Sequence, residues 1–469
     1  MKKWVCIFTA ALLLVSLAGC AASGAQQNEA AATSGYYPAG GYEDTEEWRY
    51  QPTDPEEEYD NSPETPFKEV ATSPLSTFSS DVDTASYSNM RRFINNGQAP
   101  EGVRIEELVN YFDYSYPRPK AGSEHPFSIT AEVAPCPWNP ENQLAMVGIQ
   151  GMELESAGKT ASNIVFLLDV SGSMSDENKL LLEKLDENDR VSIVTYAGSD
   201  KVIAEGVPGS QWQKLSGLID SLSSGGSTAG AKGLETAYRL ARENFIEGGN
   251  NRIILATDGD FNVGPSSEDA LKKMVETERE AGISISVLGF GMYNLKDNKM
   301  ETIADYGNGN YAYIDTLQEA RKVLVDEFES TMFTIAQDLK IQVEFNPEVV
   351  VRYRLIGYNN RRLENEDFDN DQKDAGDIGA GHSVTAFYEL VLVEAEGSSS
   401  GGGLTYQQPQ TTGSSDYMLV KVRYKQPGEN ESKLVEQAVG QQSFASKPSE
   451  NFAFASAVAE FGLIVTGSA

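Results

Sequence analysis

The sequence predicts an α/β domain in the middle of the chain, flanked on both sides by a smaller α+β or β-rich region. Apolar runs occupy residues 164–168, 191–196, 253–256 and 283–290, and helical patterns occupy residues 213–222, 231–244 and 269–280. Strands that are apolar throughout and separated by helices are typical of a mostly parallel sheet with helices on both faces. Residues 201–207 predict a short antiparallel strand at the edge of this sheet.

The flanking regions combine helices and alternating strands. Before the central domain, helices are predicted at residues 83–95 and 105–112 and strands at 127–133 and 144–149. After residue 339 the pattern is mostly β, with strands at 341–345, 349–356, 384–393 and 417–424 and a final helix at 451–463. Two strands alone form no stable core, so we predict that the early strands pair with the late ones. The α/β domain is then an insertion. The last helix ends while still apolar, which suggests a C-terminal domain truncated in this sequence.

The composition excludes one class of partner. The chain has 469 residues and a formal net charge of -33, from 37 basic and 70 acidic side chains. A surface of this charge repels phosphate backbones, so we expect no nucleic-acid partner.

The N-terminus has the pattern of a secretory signal. Lys2 and Lys3 precede an apolar run over residues 4–17, which is shorter than the about 20 residues that a membrane-spanning helix needs. The run ends in Leu-Ala-Gly-Cys at residues 17–20, which resembles the lipobox of bacterial lipoproteins. That resemblance implies removal of residues 1–19 and lipidation of Cys20, with the protein anchored on the extracytoplasmic face of the cell membrane. The alternative is an ordinary secretory cleavage site beside a chance cysteine.

Composition also suggests the domain boundaries. Residues 20–72 are rich in Ala, Gly, Gln, Glu, Pro and Tyr, without periodic apolar positions, and predict a disordered tether. We then expect an N-terminal flanking domain over residues 73–160, the α/β domain over 161–332 and a β-rich domain over 333–469. Cys136 has no cysteine partner once the leader is removed and is expected to be a small buried side chain.

Polar residues with oxygen ligands follow the predicted strands of the α/β domain. Asp169, Ser171 and Ser173 come directly after the strand at 164–168, Asp258 follows the strand at 253–257, and Thr228 precedes a helix. The carboxyl ends of parallel strands meet at one edge of the sheet, where open α/β sheets bind ligands. Two carboxylates and three hydroxyls suit a hard divalent cation, Mg²⁺ or alternatively Mn²⁺ or Ca²⁺. The sequence therefore predicts a metal site formed by these five residues.

This pattern resembles the von Willebrand factor type A domain with its metal-ion-dependent adhesion site, whose signature is Asp-x-Ser-x-Ser with a distant Thr and a distant Asp. The resemblance implies a Rossmann-like fold, coordination by the serines and threonine directly or through water, and aspartates acting through bridging waters. It also implies a protein partner that offers a carboxylate to the metal. Segments 78–87 and 384–389 look like the flanking domains of bacterial lipoproteins of this family.

One departure from that family concerns the first helix. Only 16 residues, from 174 to 189, separate the predicted metal loop from the second strand, and Leu180, Leu181, Leu182 and Leu185 permit about two helical turns. The family has a longer helix here, so the stability of the sheet and any helix movement coupled to ligand binding are in doubt.

The sequence also bears on two other classes of function. A hydrolase needs a base, but His125 and His382 both lie outside the α/β domain and Ser171 is not in a Gly-x-Ser-x-Gly elbow, so we predict no enzymatic activity. A scaffold that assembles another envelope complex shares the same metal site and stays open as an alternative. Asp367, Asp369 and Asp371 resemble the start of a calcium-binding EF-hand loop, but Gln372 and Ile378 replace its glycine and glutamate; an acidic turn is predicted instead.

Overall fold

The computed structural model describes residues 57, 59, 65–80, 83–120, 122–154, 160–169, 179–196, 200–222, 230–257, 268–291, 295–393 and 412–468. All of them lie in one compact unit, Tyr50–Ala469. The predicted signal peptide, Cys20 and most of the predicted tether lie outside the described residues.

The chain before the central domain forms short strands and two helices within the described ranges. They are β1 (Lys68–Glu69), β2 (Leu75–Ser79), α1 (Ala85–Asn95), α2 (Ile105–Asn110), β3 (Phe127–Pro135) and β4 (Gln143–Gly151). Met90 and Phe93 of α1 are buried, as are Ile105 and Leu108 of α2. These apolar positions, which helped to predict the two helices, lie on their packed faces, whereas Ile94, the third apolar position of α1, is 51% exposed.

The central domain contains a six-stranded sheet with the order β10-β9-β8-β5-β6-β7. Its elements are β5 (Ser162–Asp169), α3 (Lys179–Leu182), β6 (Arg190–Tyr196), β7 (Asp200–Pro208), α4 (Trp212–Asp220), α5 (Gly230–Glu243), β8 (Asn250–Thr257), α6 (Glu268–Glu280), β9 (Ile283–Gly289), α7 (Asp297–Tyr306) and β10 (Tyr311–Tyr313). β5, β6, β8, β9 and β10 run parallel to one another, and β7 is antiparallel to β6. The predicted α/β fold, with its antiparallel edge strand, is confirmed.

Both faces of this sheet are covered, which explains why its strands are apolar throughout. On β5, Ile164 and Phe166 belong to a core shared with Leu215 of α4. Val165 and Leu167 belong to a second core, shared with α5 through Leu234 and Tyr238 and with α6 through Leu271. Alternate residues of a strand point to opposite faces, so every position of β5 is removed from water.

The chain after the central domain is mostly β. Its elements are α8 (Leu317–Arg321), α9 (Phe328–Met332), β11 (Thr334–Phe345), β12 (Val350–Ile356), β13 (Ile378–Gly379), β14 (Ser383–Leu392), β15 (Met418–Lys425), β16 (Ser432–Val439) and α10 (Glu450–Val465). One sheet has the order β1-β12-β14-β4-β3; the other has the order β13-β11-β15-β16, with β2 on β11. Early strands thus pair with late ones, as predicted, through β4 with β14 and β2 with β11.

The C-terminal helix α10 packs against the N-terminal helix α2. Phe452 and Leu463 of α10 share a buried cluster with Ile105 and Val109 of α2. The side chain of Ser449 caps α10 by accepting a hydrogen bond from the N–H of Phe452 (3.2 Å). Among the described helices, none has both the length and the apolar character needed to cross a membrane.

The predicted tether ends too late in the sequence, because residues 65–72 belong to the folded body. Lys68 and Glu69 pair with Tyr353 and Arg352 of β12, and Val70 is buried. A strand of two residues carries no visible periodicity, and its partners lie far away along the chain. Composition alone therefore assigned this segment wrongly.

The first crossover of the central sheet is as short as the sequence indicated. In the described part of this connection α3 has four residues, one turn of helix, where about two turns were predicted. Leu181 and Leu182 are buried in the core beneath the sheet. Residues 170–178 lie outside the description.

Candidate metal centre

Asp169 is the last residue of β5 and is only 2% exposed. β5 lies inside the sheet, between β6 and β8, and is parallel to both. Burial of a carboxylate costs free energy unless charge or hydrogen bonding compensates it. A buried aspartate at the carboxyl end of an inner strand is thus at the position where α/β sheets bind ligands.

The end of β8 lies beside the end of β5. Leu168 pairs with Ala256 across the two parallel strands, and Thr257 is the last residue of β8. The chain therefore leaves both strands at the same edge. Asp258 is the next residue after Thr257, and Ser171 is the second after Asp169.

The start of α5 lies at this edge too. Gly233, in the first turn of α5, packs so closely that a Cβ added to it would lie 2.9 Å from Tyr196 Cβ and 3.1 Å from Leu167 Cδ1. Tyr196 ends β6, and Leu167 is two residues from the end of β5. The segment that carries Thr228, two residues before α5, therefore leads into the same part of the molecule.

Of the five predicted ligands, the structure describes Asp169. Ser171, Ser173, Thr228 and Asp258 lie outside the described residues, in segments 170–178, 223–229 and 258–267. Asp169 and Thr257, which precede two of these segments, end neighbouring strands at the carboxyl edge of the sheet, and α5, which follows the third, starts beside them. The donor set of two carboxylates and three hydroxyls fits a divalent cation that prefers oxygen. Assignment of the five side chains as ligands stays a prediction.

A buried ionic network, which the sequence did not predict, joins α7 to the flanking region. Arg104 pairs with Glu107 and, at 2.8 Å, with Asp297. Arg361 pairs with Asp83 at 2.9 Å and with Glu301 at 3.1 Å, and it also contacts Asp305. Asp83, Glu107 and Glu301 have carboxylate oxygens within 4.8 Å of one another. Two buried arginines sit among these acids, so the group is an ionic joint between domains and not a second metal site.

Burial and like charge shift the titration of this network. Burial is the main cause that raises the pKa of Glu301, to about 8, against the opposing effect of Arg104 and Arg361. Burial and the neighbouring Glu107 raise the pKa of Glu106 to about 7. No sequence pattern marks these residues, because isolated charged side chains in a sequence are typical of a solvated surface.

The acidic segment at residues 367–371, predicted as a turn, is the end of a short 3₁₀ helix followed by a turn. Arg423 of β15 pairs with Asp369 at 3.0 Å and with Asp371 at 3.1 Å. Asp367 belongs to a short 3₁₀ helix, Asn365–Asp369, that it helps to cap. The carboxylates of Asp369 and Asp371 are therefore held by an arginine.

Comparison with protein families and known proteins agrees with this architecture. The von Willebrand factor type A domain family matches residues 163–327, a further von Willebrand factor family matches residues 53–146, and the family of the C-terminal region of the uncharacterized protein YfbK matches residues 330–469. The uncharacterized protein YfbK of Escherichia coli K12 is 45% identical over 430 residues, covering 87% of this chain and 74% of YfbK.

Two solved structures show lower similarity. A von Willebrand factor type A protein from Catenulispora acidiphila is 13% identical, with a TM-score of 0.42, over 68% of this chain and 74% of that one. Proximal thread matrix protein 1 from the mussel byssus, solved with a zinc-occupied MIDAS motif, is 22% identical, with a TM-score of 0.31, over 38% of this chain and 46% of that one. The match to YfbK and the family match to residues 330–469 show that the chain belongs to the YfbK family, and the match to residues 163–327 shows that it carries a von Willebrand factor type A domain at its centre.

Proposed function

We propose that this protein binds a protein ligand through a divalent metal ion, Mg²⁺ or alternatively Mn²⁺ or Ca²⁺, held at the carboxyl edge of the central sheet. The observation that carries the proposal is the buried carboxylate of Asp169 at the end of β5, beside the end of β8 and the start of α5, from which three loops extend. Those loops contribute Ser171, Ser173, Thr228 and Asp258 as the other ligands. The match to the von Willebrand factor type A domain supports a role in protein–protein interaction.

Charge balance indicates what the partner presents to the metal. Two carboxylates roughly neutralise a divalent ion, and hydroxyls add coordination without charge, so the ion still attracts one anionic oxygen. A chain with a net charge of -33 repels acidic partners at a distance. Screening limits that repulsion to about 8 Å at physiological ionic strength, so the metal acts at contact range. The partner is therefore a protein that offers a carboxylate.

We propose that the protein is anchored to the extracytoplasmic face of the cell membrane through lipidated Cys20. Acyl chains supply an affinity for membranes that such an acidic protein cannot obtain from electrostatics. Labelled palmitate is expected to enter the wild-type protein and not Cys20→Ala. Equal labelling of the two proteins refutes the anchor.

The positions of the histidines favour binding over catalysis. His125 lies 2.9 Å from the hydroxyl oxygen of Tyr424, in the flanking region, and His382 lies just before β14. Burial lowers the pKa of His382 to about 4. Both histidines in the sequence thus lie outside the central domain that carries Asp169. Turnover of any substrate that is lost in Asp169→Ala contradicts this conclusion.

A pull-down tests the proposed binding. Bait protein is incubated with extracellular matrix and with envelope extracts, in Mg²⁺ or in EDTA. Wild type and Glu366→Ala, a control at an exposed carboxylate of the flanking domain, are expected to capture the same proteins in Mg²⁺ only. Asp169→Ala is expected to capture none of them. A bound set that neither EDTA nor Asp169→Ala changes refutes metal-dependent binding.

The same experiment separates adhesion from scaffolding. Metal-dependent capture of matrix proteins supports adhesion. Metal-dependent capture of envelope proteins supports the alternative, an envelope assembly factor that uses the same site.

A further inference from the structure

A second site is suggested by a cavity between the central domain and the flanking region. The cavity has a volume of about 490 Å³ and is lined by Arg252 of β8, by the turn after α7 and by the segment before β14. This volume is within the range of small-molecule sites, about 300–1,000 Å³. The cavity lies away from the metal edge. Arg252 pairs with Ile164, five residues before Asp169 on β5, which corresponds to roughly 16 Å along the strand.

Arg252 is a buried cation that forms no ion pair with any residue in the described part of the chain. The residue is only 4% exposed, and its Nη1 donates one hydrogen bond to Ser286 Oγ at 2.7 Å. Nε has no hydrogen-bond partner among the described residues. No described carboxylate forms a salt bridge with this guanidinium, whereas Arg279 and Arg361, which also line the cavity, are both paired. An arginine has five N–H donors, so most of its capacity is unused.

Burial without a counter-charge is unfavourable for this guanidinium. It lowers the pKa of Arg252 to about 10, against the opposing influence of Asp377. The carboxyl group of Asp377 does not fully compensate the charge of Arg252, because burial raises the pKa of Asp377 to about 8 and so favours its neutral form at pH 7. Its carboxylate instead accepts hydrogen bonds from Asn308 Nδ2 at 3.1 Å and from the N–H of Asp338 at 3.2 Å. A buried charge is normally paired, so this guanidinium is suited to an anionic ligand.

Two of the remaining acids of the lining are compensated by arginines, and two further cations line the cavity. Asp305 pairs with Arg361, and Asp374 pairs with Arg279, so these two acids are compensated. The exposed cations Arg362 and Lys373 line the cavity as well. Glu276 is the other acid of the lining.

We propose that this cavity binds a small molecule through an oxyanion, a carboxylate or a phosphate, that accepts hydrogen bonds from the guanidinium of Arg252. The planar fork of an arginine matches both oxyanions in a bidentate arrangement. The bound molecule contacts β8 of the central domain and the segment before β14 of the flanking region. It therefore adds a ligand-dependent link between the two.

Calorimetric titration with inorganic phosphate and, separately, with acetate tests the proposal. Ionic strength is held constant with chloride, so that general screening does not change. We expect wild type to bind at least one of the two anions, and Arg252→Met to bind it about 10- to 100-fold more weakly, the loss of a hydrogen-bonded charged contact. Arg239→Met is the control, since Arg239 lies on α5 and its side chain is 46% exposed.

Three outcomes decide the matter. Absence of binding of both anions to wild type overturns the proposal, as does equal binding by Arg252→Met. If Arg252→Met does not fold, Arg252→Lys replaces it: this variant keeps the charge and loses the fork, and unchanged affinity in it also overturns the proposal. Asp169→Ala is expected to bind the anion normally, which separates this site from the proposed metal site.

Discussion

The close packing of α5 against the sheet makes Gly233→Ala an informative substitution. The added Cβ would lie 2.9 Å from Tyr196 Cβ and 3.1 Å from Leu167 Cδ1, and the Tyr196 atom is one bond from the backbone of β6. Neither neighbour has room to move, because both are fully buried. Overpacking of this kind costs about 1–3 kcal/mol. Exchange of glycine for alanine within a helix recovers about 1 kcal/mol.

Gly217→Ala isolates the overpacking cost. Gly217 lies in α4, and an added Cβ there meets nothing within 4 Å. This variant is expected to gain about 1 kcal/mol from helix propensity alone. The difference in unfolding free energy between the two variants is then about 1–3 kcal/mol, the overpacking cost by itself.

Urea unfolding of wild type and both variants measures this difference. Because α5 starts at the predicted metal edge, Gly233→Ala is also expected to weaken Mg²⁺ binding, while Gly217→Ala is expected to leave it unchanged. If Gly233→Ala is stabilised as much as Gly217→Ala, then α5 does not press on β5 and β6 as described.

Three further predictions concern buried ionisable groups. Since the pKa of Glu301 is raised to about 8, the folded state keeps the proton of this carboxyl group between about pH 4.5 and 8, whereas the unfolded chain releases it. As the pH rises through that window, wild type is expected to lose stability relative to Glu301→Gln by up to about 1.4 kcal/mol per pH unit. A difference in urea unfolding that does not depend on pH contradicts this. Glu389 is 1% exposed and accepts hydrogen bonds from Trp138 Nε1 at 2.9 Å and from Arg354 Nε at 2.8 Å. Glu389→Ala is therefore expected to destabilise the folded protein by about 3–5 kcal/mol. A loss below 1 kcal/mol in thermal unfolding argues against these buried contacts. Burial raises the pKa of the Cys136 thiol to about 12, so the thiol of the folded protein is expected to resist alkylation at pH 8. Peptide mass analysis measures this, and alkylation of Cys136 before the protein unfolds contradicts its burial.

The sequence was sufficient for the fold of the central domain. Apolar runs such as residues 164–168 predicted strands buried on both faces, and Ile164 and Val165 of β5 do pack into opposite cores. The pairing of early with late strands followed from a physical limit, since two strands cannot form a core. It is seen in the contact of β4 with β14.

Other features depend on contacts between distant residues and left no local pattern. The strand Lys68–Glu69 is too short to show a period, so it was assigned to the tether. The buried pairs of Arg104 and Arg361 and the unpaired charge of Arg252 depend on how two domains meet. For the metal site, the sequence predicted that Asp169 ends a strand, and it does. Its role as a ligand depends on loop residues and stays a prediction.

Direct titration with Mg²⁺ is the measurement that tests the central claim, a metal held at the end of β5. Calorimetry on wild type, Asp169→Ala and the control Glu366→Ala, all purified in EDTA and dialysed, reports affinity and stoichiometry. We predict a single Mg²⁺ bound by wild type and by Glu366→Ala, and affinity at least about 10-fold weaker in Asp169→Ala. Equal Mg²⁺ binding by all three proteins, or none by wild type, would contradict the account.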